Sequence, residues 1–523
     1  MKRHFCTILL SMCCLIYLNG QDYPAKLIGE INRDFYIWES RCEKPEKLNS
    51  TYDHSLLRFD SSMKLITSIK LGRSPSQLRP VLFDEEQVEQ VMMIGNRIVL
   101  LTLTSDSREE KQTLYYQFID PLTLAKRGQK IKLIESHFLK GRIFKTSLFT
   151  YCLSDDGARL MITTEYPLKA FKATPKYISI NVYDENLNLL WTRSETLTVT
   201  DKQFTPAFYQ VDNSGDVAIL ATTKYDKDTV ESKLLTNYLL LEYTEKGQKF
   251  SAQNLPLEVA DFKIIGSHIL YSGDKISAAG FFKIPKVRKQ YGYFLQEYNL
   301  ENLKREKNYY KTLAQEAETE NEADVDPELK KLDKVGGDDR FAFIIKKMRH
   351  DEYGNIFLIG EQNNTYYNIS NNVRTITEYY LDIYVLKLDP EGKLIWEIRI
   401  PKKQVYKPTG FKNVRYLKNF VSYGTTLLNG NLLFFINDNP ENLDIKNAKP
   451  RSVNWKESQG QVVIVNKDGK MQRKLITGIP GNMFYTGFIY GLSGNRILIR
   501  YAAFKEYEES FFKIIDLDQI LSD

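Results

Sequence analysis

The segment VLKLDPEGKLIWEIRI, Val385 to Ile400, recurs in degraded form along almost the whole chain. Val385, Lys387 and Asp389 alternate with Leu386 and Leu388, the period-two pattern of a half-buried strand. Pro390 fixes φ for a turn position, and Gly392 supplies positive φ near the turn's end. Ile395 and Trp396 open the return with good strand formers. The segment is a β-hairpin, and a chain that repeats a hairpin is confined to a repeat architecture of strands.

Seven further segments align with it: Leu56–Leu71, Tyr115–Gly128, Ile178–Arg193, Leu239–Ala252, Tyr293–Lys307, Gln461–Ile476 and Phe511–Leu521. Their turns begin at Asp60, Asp120, Asp184, Thr244, Asn299, Asp389, Asn466 and Asp516, residues whose side chains bond the turn backbone. Successive turns lie 50 to 90 residues apart, the period of a four-stranded propeller blade with variable loops. Ahead of many hairpins stands a polar turn with glycine and then an apolar strand, as in Ser154–Tyr166, Asp212–Tyr225, Asp351–Gln362, Leu428–Asp438 and Leu492–Ala502.

The expected fold is therefore all-β: a single β-propeller over residues 21–523 with about eight four-stranded blades, seven being the alternative count. The last repeat ends soon after its third strand, so Leu27–Ile31 is expected to complete the last blade and close the ring from both termini. Two insertions break the period. Residues 304–339 read as a short helix and an acidic loop, with seven acids and no base between Glu316 and Glu328. Residues 363–380 are rich in Asn and Tyr and are expected to project between strands.

Lys2, Arg3 and His4 precede an apolar run from Phe5 to Leu18, and Gly20 follows, the plan of a signal peptide over residues 1–20. Export to the periplasm or the exterior is the expectation, with lipid anchoring at Cys13 or Cys14 as the weaker alternative. No other run is long enough to cross a bilayer. After cleavage the net charge is +4, from 70 basic and 66 acidic residues, and this is no nucleic-acid binder's balance. Cys42 and Cys152 remain and fall in non-adjacent repeats, so two free thiols are expected.

Candidate chemistry is sparse. Asp324, Asp326 and Glu328 alternate as Ca²⁺ ligands would, without the glycine-turned loop of a known calcium motif; a solvated acidic loop explains them. The Asp-Gly turns beginning at Asp155, Asp212 and Asp351 are explained by turn chemistry alone. His54, His137, His268 and His350 each fall in a different repeat, with no nucleophile signature beside them. No phosphate-cradling or dinucleotide motif is present. Tyr366, Tyr367, Tyr379 and Tyr380 are candidate binding residues, since aromatics beside amides stack on sugars or grip a partner loop. For Tyr379 and Tyr380, packing between blades is the competing reading.

Asp389, Gly392, Leu394 and Trp396 resemble the repeat of the pyrroloquinoline-quinone-type eight-bladed propellers, and Asp184 to Trp191 is similar to a degenerate second copy. The wider resemblance, to WD40-like and quinoprotein-like propellers, spans nearly all of residues 21–523 as pattern. Enzymes of the quinone class carry a tryptophan in most blades, whereas this chain has only Trp38, Trp191, Trp396 and Trp455. Their calcium carboxylate clamp and vicinal disulfide have no counterpart in residues 21–523, so no cofactor is expected. The expectation that follows is an exported, non-catalytic propeller that binds a protein or glycan through loops on one face. The alternative is an envelope enzyme, a glycan lyase, hydrolase or quinoprotein-like oxidoreductase, with its site at the central channel. Convergent Asp, Arg and His would mark the enzyme.

Overall fold

A computed structural model of the chain describes residues 25–42, 51–75, 86–106, 108–137, 147–167, 175–200, 203–223, 236–260, 262–272, 275–284, 291–300, 302–312, 342–351, 353–370, 373–407, 417–444, 450–476, 481–492, 494–503 and 510–522. The proposed leader, residues 1–20, and Asp324, Asp326 and Glu328 lie outside the described residues.

Eight antiparallel sheets follow one another, each with its strands hydrogen-bonded in chain order. They are the blades of an all-β, eight-bladed β-propeller. Blade 1 spans Ala25–Pro75, blade 2 Gln87–His137, blade 3 Phe149–Thr200, blade 4 Phe204–Leu257, blade 5 Lys263–Thr312, blade 6 Ala342–Tyr406, blade 7 Tyr423–Leu475 and blade 8 Asn482–Asp516. Contacts divide the chain into two compact units, residues 1–227 with 237–255, and residues 228–236 with 256–523.

Seven of the eight sequence hairpins fall on the third strand of a blade and the turn that follows it, and the eighth, Phe511–Leu521, falls on a third strand and the helix after it. The turn chemistry is as expected: the Asp60 carboxylate accepts from the amides of Ser62 and Lys64, Asp184 from Asn186 and Asn188, and Asp389 from Lys393, at 2.7 to 2.9 Å. Asp212 and Asp351 cap the first turns of blades 4 and 6 in the same way. In blade 3 that turn begins one residue earlier than read, at Ser154, whose amide bonds the Arg159 carbonyl.

Within each unit the second and third strands bury both faces against neighbouring blades, so they read as continuous apolar runs. Asn431–Asp438 and Gln459–Val465 are buried at nearly every position. Outer strands such as Lys126–His137 and Arg305–Thr312 are largely exposed. In the first unit, Ile178, Ile180 and Val182 of blade 3 pack on Val217, Ile219, Leu239 and Leu241 of blade 4. In the second, Ile359, Ile383 and Val385 of blade 6 pack on Leu432, Phe434 and Val463 of blade 7. Each fully buried side chain of this kind contributes roughly 1.5–3 kcal/mol.

Tryptophan locks some of these joints. Trp191 in blade 3 donates its indole N–H to the Gly215 carbonyl of blade 4 at 2.9 Å. A Cβ on Gly247 would meet the Trp191 ring at 2.6 Å, so only glycine fits under it. Trp396 repeats the arrangement between blades 6 and 7, donating to the Lys467 carbonyl at 3.0 Å and lying over Gly469.

Three expectations are corrected. Ala25–Ile31 does not complete the last blade: it pairs with Asp34–Cys42 as the first strand of blade 1. Asn32 and Arg33, both at positive φ, form the two-residue turn that folds it locally. Blade 8 keeps three strands among the described residues, and its chain passes from Asp516 into a helix, Leu517–Ser522. The segment read as helical from Lys304 begins instead with a strand, Arg305–Thr312, paired to Tyr291–Asn299; residues 313–341 lie outside the described residues. Residues 363–380 do not interrupt the sheet but prolong it, as Ile356–Ser370 and Val373–Leu388 pair as far as Ser370 and Val373.

Candidate functional site

In each of the seven four-stranded blades the turn between the first and second strands lies at the same end as the turn between the third and fourth. Those turns hold two to six residues. Connections at the other end reach 20 residues between Asp438 and Gln459, and 29 between Thr312 and Ala342.

Blade 6 carries the largest strand extension there, and its base is built from buried polar groups. Chain leaving the fourth strand of blade 6, Leu394–Ile400, turns inward so that Gln404–Tyr406 can pair with Glu378–Tyr380. The turn drives Lys402 into the interior. Its ammonium stands 2.6 Å from Glu361 Oε1, and neither side chain is exposed at all. It also donates to Gln404 Oε1 at 3.1 Å. The Lys402 amide donates to Asp382, which holds Arg399 through its other oxygen at 2.7 Å.

The same network reaches into blades 7 and 8. Ser422, a non-glycine residue at φ 68, donates its hydroxyl to Glu361 and its amide to Gln404. Gln404 donates to the Asn437 carbonyl at 2.8 Å, and the Asn437 side chain bonds the backbone of both Phe420 and Phe484. Asp438 pairs with Arg473 at 3.2 Å and accepts from Asn442 at 2.9 Å. Burial pushes the Asp438 carboxyl up to about 6 against the pull of Arg473. Burial raises the Tyr423 phenol, with Glu361 adding to the effect.

Serine, lysine and glutamate in contact can in principle make a nucleophile and a base. Here the lysine is neutralised by the glutamate, the serine hydroxyl is spent on the same carboxylate, and all three side chains are sealed from solvent. The arrangement works as a latch. It fixes the crossing from blade 6 to blade 7 and the root of the extended hairpin.

Of the four candidate tyrosines, Tyr379 and Tyr380 lie in the core, at 3% and 9% exposure. Tyr380 packs with Tyr406 and Val421, flanked by Leu417 and Trp455, and its hydroxyl donates to Glu378 at 2.6 Å. Tyr366 and Tyr367 pair through their backbones with Thr377 and Ile376 near the hairpin tip; their side chains lie outside the described residues. Sequence reading missed Glu361, Lys402, Gln404, Ser422 and Asn437. Two left a signal: Glu361 stands directly after the apolar run IFLIG, and Asn437 directly after LLFFI.

The histidines stay apart. His54 lies between the hydroxyls of Ser40 and Ser74, at 2.9 and 2.6 Å, and burial lowers it to about 4. His268 is lowered to about 4 by burial as well. His350 faces the Gly354 carbonyl, and His137 is exposed. Cys152 is buried, with its sulfur 3.4 Å from the Tyr209 carbonyl, and the Cys42 side chain lies outside the described residues. Among the described residues, no three His, Cys, Asp or Glu side chains gather as metal ligands. None of the described helices is long and apolar enough to cross a membrane.

No family model matches the chain, and no curated protein matches its sequence. Among solved structures it is similar to the acylaminoacyl peptidase of Pyrococcus horikoshii at 8% identity and a TM-score of 0.35, over 91% of this chain and 57% of that one. The chain thus spans a little over half the length of that peptidase. The WD40 domain of SCAP from fission yeast gives 8% identity and a TM-score of 0.33, over 91% of this chain and 95% of the other. The β-propeller domain of the Trilobed protease from Pyrococcus furiosus gives 8% and 0.30, over 75% and 97%.

Proposed function

We propose that this chain is an exported, non-catalytic β-propeller that engages a protein or glycan partner through the long connections of its blades. The observation that carries the reading is the unequal length of the two sets of connections: two to six residues at one end of each blade, up to 29 at the other. Loops carried on a rigid scaffold are the usual seat of recognition. Charged groups that converge in the second unit neutralise one another in its interior, which favours binding over catalysis. Export rests on Lys2, Arg3 and the apolar run from Phe5 to Leu18.

The test uses a tagged chain lacking residues 1–20, incubated with the envelope fraction of its source and with a glycan array. Replacing residues 366–377 by Asn-Gly joins the paired residues Thr365 and Glu378 without disturbing the latch below. Capture of one stoichiometric partner, protein or glycan, that this replacement weakens is the expected result. No capture by the parent chain would refute the reading.

A further inference from the structure

The first strand of blade 6, Ala342–His350, gathers Lys346, Lys347, Arg349 and His350 within five residues. The first strands of the other blades hold at most two basic residues each. Register sorts these positions. Lys347 stands opposite Ile359 and Arg349 opposite Phe357, and both partners pack on blade 7. Lys347 and Arg349 therefore share the strand face toward blade 7. Lys346 is the extra residue of a bulge, and Met348 packs toward blade 5.

Arg349 is half-buried, and its guanidinium crosses the joint to donate to the Thr425 carbonyl at 3.1 Å. Tyr423 packs there with Phe357 and Phe434, and Thr425, opposite Phe434, lies on the same face. Burial lowers Arg349 to about 10, with the Tyr423 phenol acting against it. Nearby carboxylates are committed: Glu361 to Lys402 and Ser422, Asp351 to its own turn and Lys387, Asp382 to Arg399. The bond that Arg349 makes among the described residues is thus to a neutral acceptor. One such bond leaves most of the five-donor guanidinium fork to spare. The Thr425 hydroxyl is buried and has no hydrogen-bond partner among the described residues. A cation drawn into a protein joint is stabilised by a counter-charge, and a guanidinium fork matches the paired oxygens of a carboxylate or phosphate.

We propose that Arg349 binds the oxyanion of a small ligand, a carboxylate or phosphate group, at the joint between the first strands of blades 6 and 7. Thr425 supplies a second donor, and Lys347 adds positive charge on the same strand face. The site stands beside the first turn of blade 6, which opens at Asp351, so it is separate from the long connections. Partner capture and anion binding can each fail without the other.

The probes are inorganic phosphate and acetate, titrated calorimetrically into the full chain at an ionic strength held constant with chloride. Saturable binding of at least one is expected, and which one assigns the ligand group as phosphoryl or carboxyl. Arg349→Gln should weaken it at least about tenfold, the value of a charge-assisted hydrogen bond. Thr425→Val should weaken it about threefold or more. Valine matches threonine in shape and leaves Arg349 in place, so this variant decides the matter if Arg349→Gln does not fold. Absence of saturable binding to the parent chain, or binding that neither substitution weakens, would overturn the proposal.

Discussion

Trp191 and Trp396 lie over the glycine of a neighbouring blade's turn, Gly247 and Gly469 respectively. In blade 5 an aliphatic side chain takes that place: a Cβ on Gly392 would meet Leu295 at 2.9 Å, and the repeat is well spelled only where tryptophan stands. Met63, Leu124, Leu187 and Leu303 take positive φ in equivalent turns of other blades, which hides those copies further. Trp191→Ala should cost about 3–5 kcal/mol, read as a lower denaturation midpoint; an unchanged midpoint would remove the indole from the joint. Met63→Gly should gain about 1 kcal/mol by relieving a left-handed non-glycine residue. Two buried groups titrate with opposite sign. Burial raises Glu89 to about 7, against the hydroxyls of Ser147 and Tyr151. The folded state therefore binds the extra proton between about pH 4.5 and 7, and stability falls as pH rises through that window. His54, lowered to about 4, leaves the extra proton to the unfolded chain, so its contribution is lost as pH falls from 6.5 to 4. Glu89→Gln and His54→Gln should each flatten its own limb of a midpoint-against-pH curve.

At the scale of elements, the hairpins were legible because most turns open on a side chain that bonds the turn's own backbone, as at Asp60, Asp120, Asp184, Asp389 and Asn466, a local signal. What was not legible depended on competition between local and distant partners. Ala25–Ile31 has the composition of any strand, and the tight turn at Asn32-Arg33 gives it a nearer partner than blade 8. Asn and Tyr from 363 to 380 look like a loop by composition, yet their backbones pair across the prolonged hairpin. Tyr379 and Tyr380 were legible as aromatic and not as buried, because the strand that covers them, Gln404–Tyr406, arrives from beyond the repeat. The latch is invisible in sequence for the same reason: Glu361 and Lys402 meet only after blade 6 has folded. Glu361→Gln or Lys402→Met alone should cost about 3–5 kcal/mol, since each strands a buried charge. The double replacement Glu361→Leu with Lys402→Met should recover most of that loss. If the single variants denature at the wild-type midpoint, the pair does not hold the crossing.

For the whole molecule, regular interiors and irregular connections divide the labour. Within each unit the blades bury apolar strands on both faces, while chain length beyond the blades accumulates at one end of them. A footprint tests that division most directly: hydrogen exchange of the full chain with and without the partner that the proposed function expects. Protection in residues 439–458, 407–422 and the 363–380 hairpin, with the short turns at Asp60, Asp184, Asp389 and Asn466 unchanged, is the predicted result. Protection confined to the short turns would contradict it.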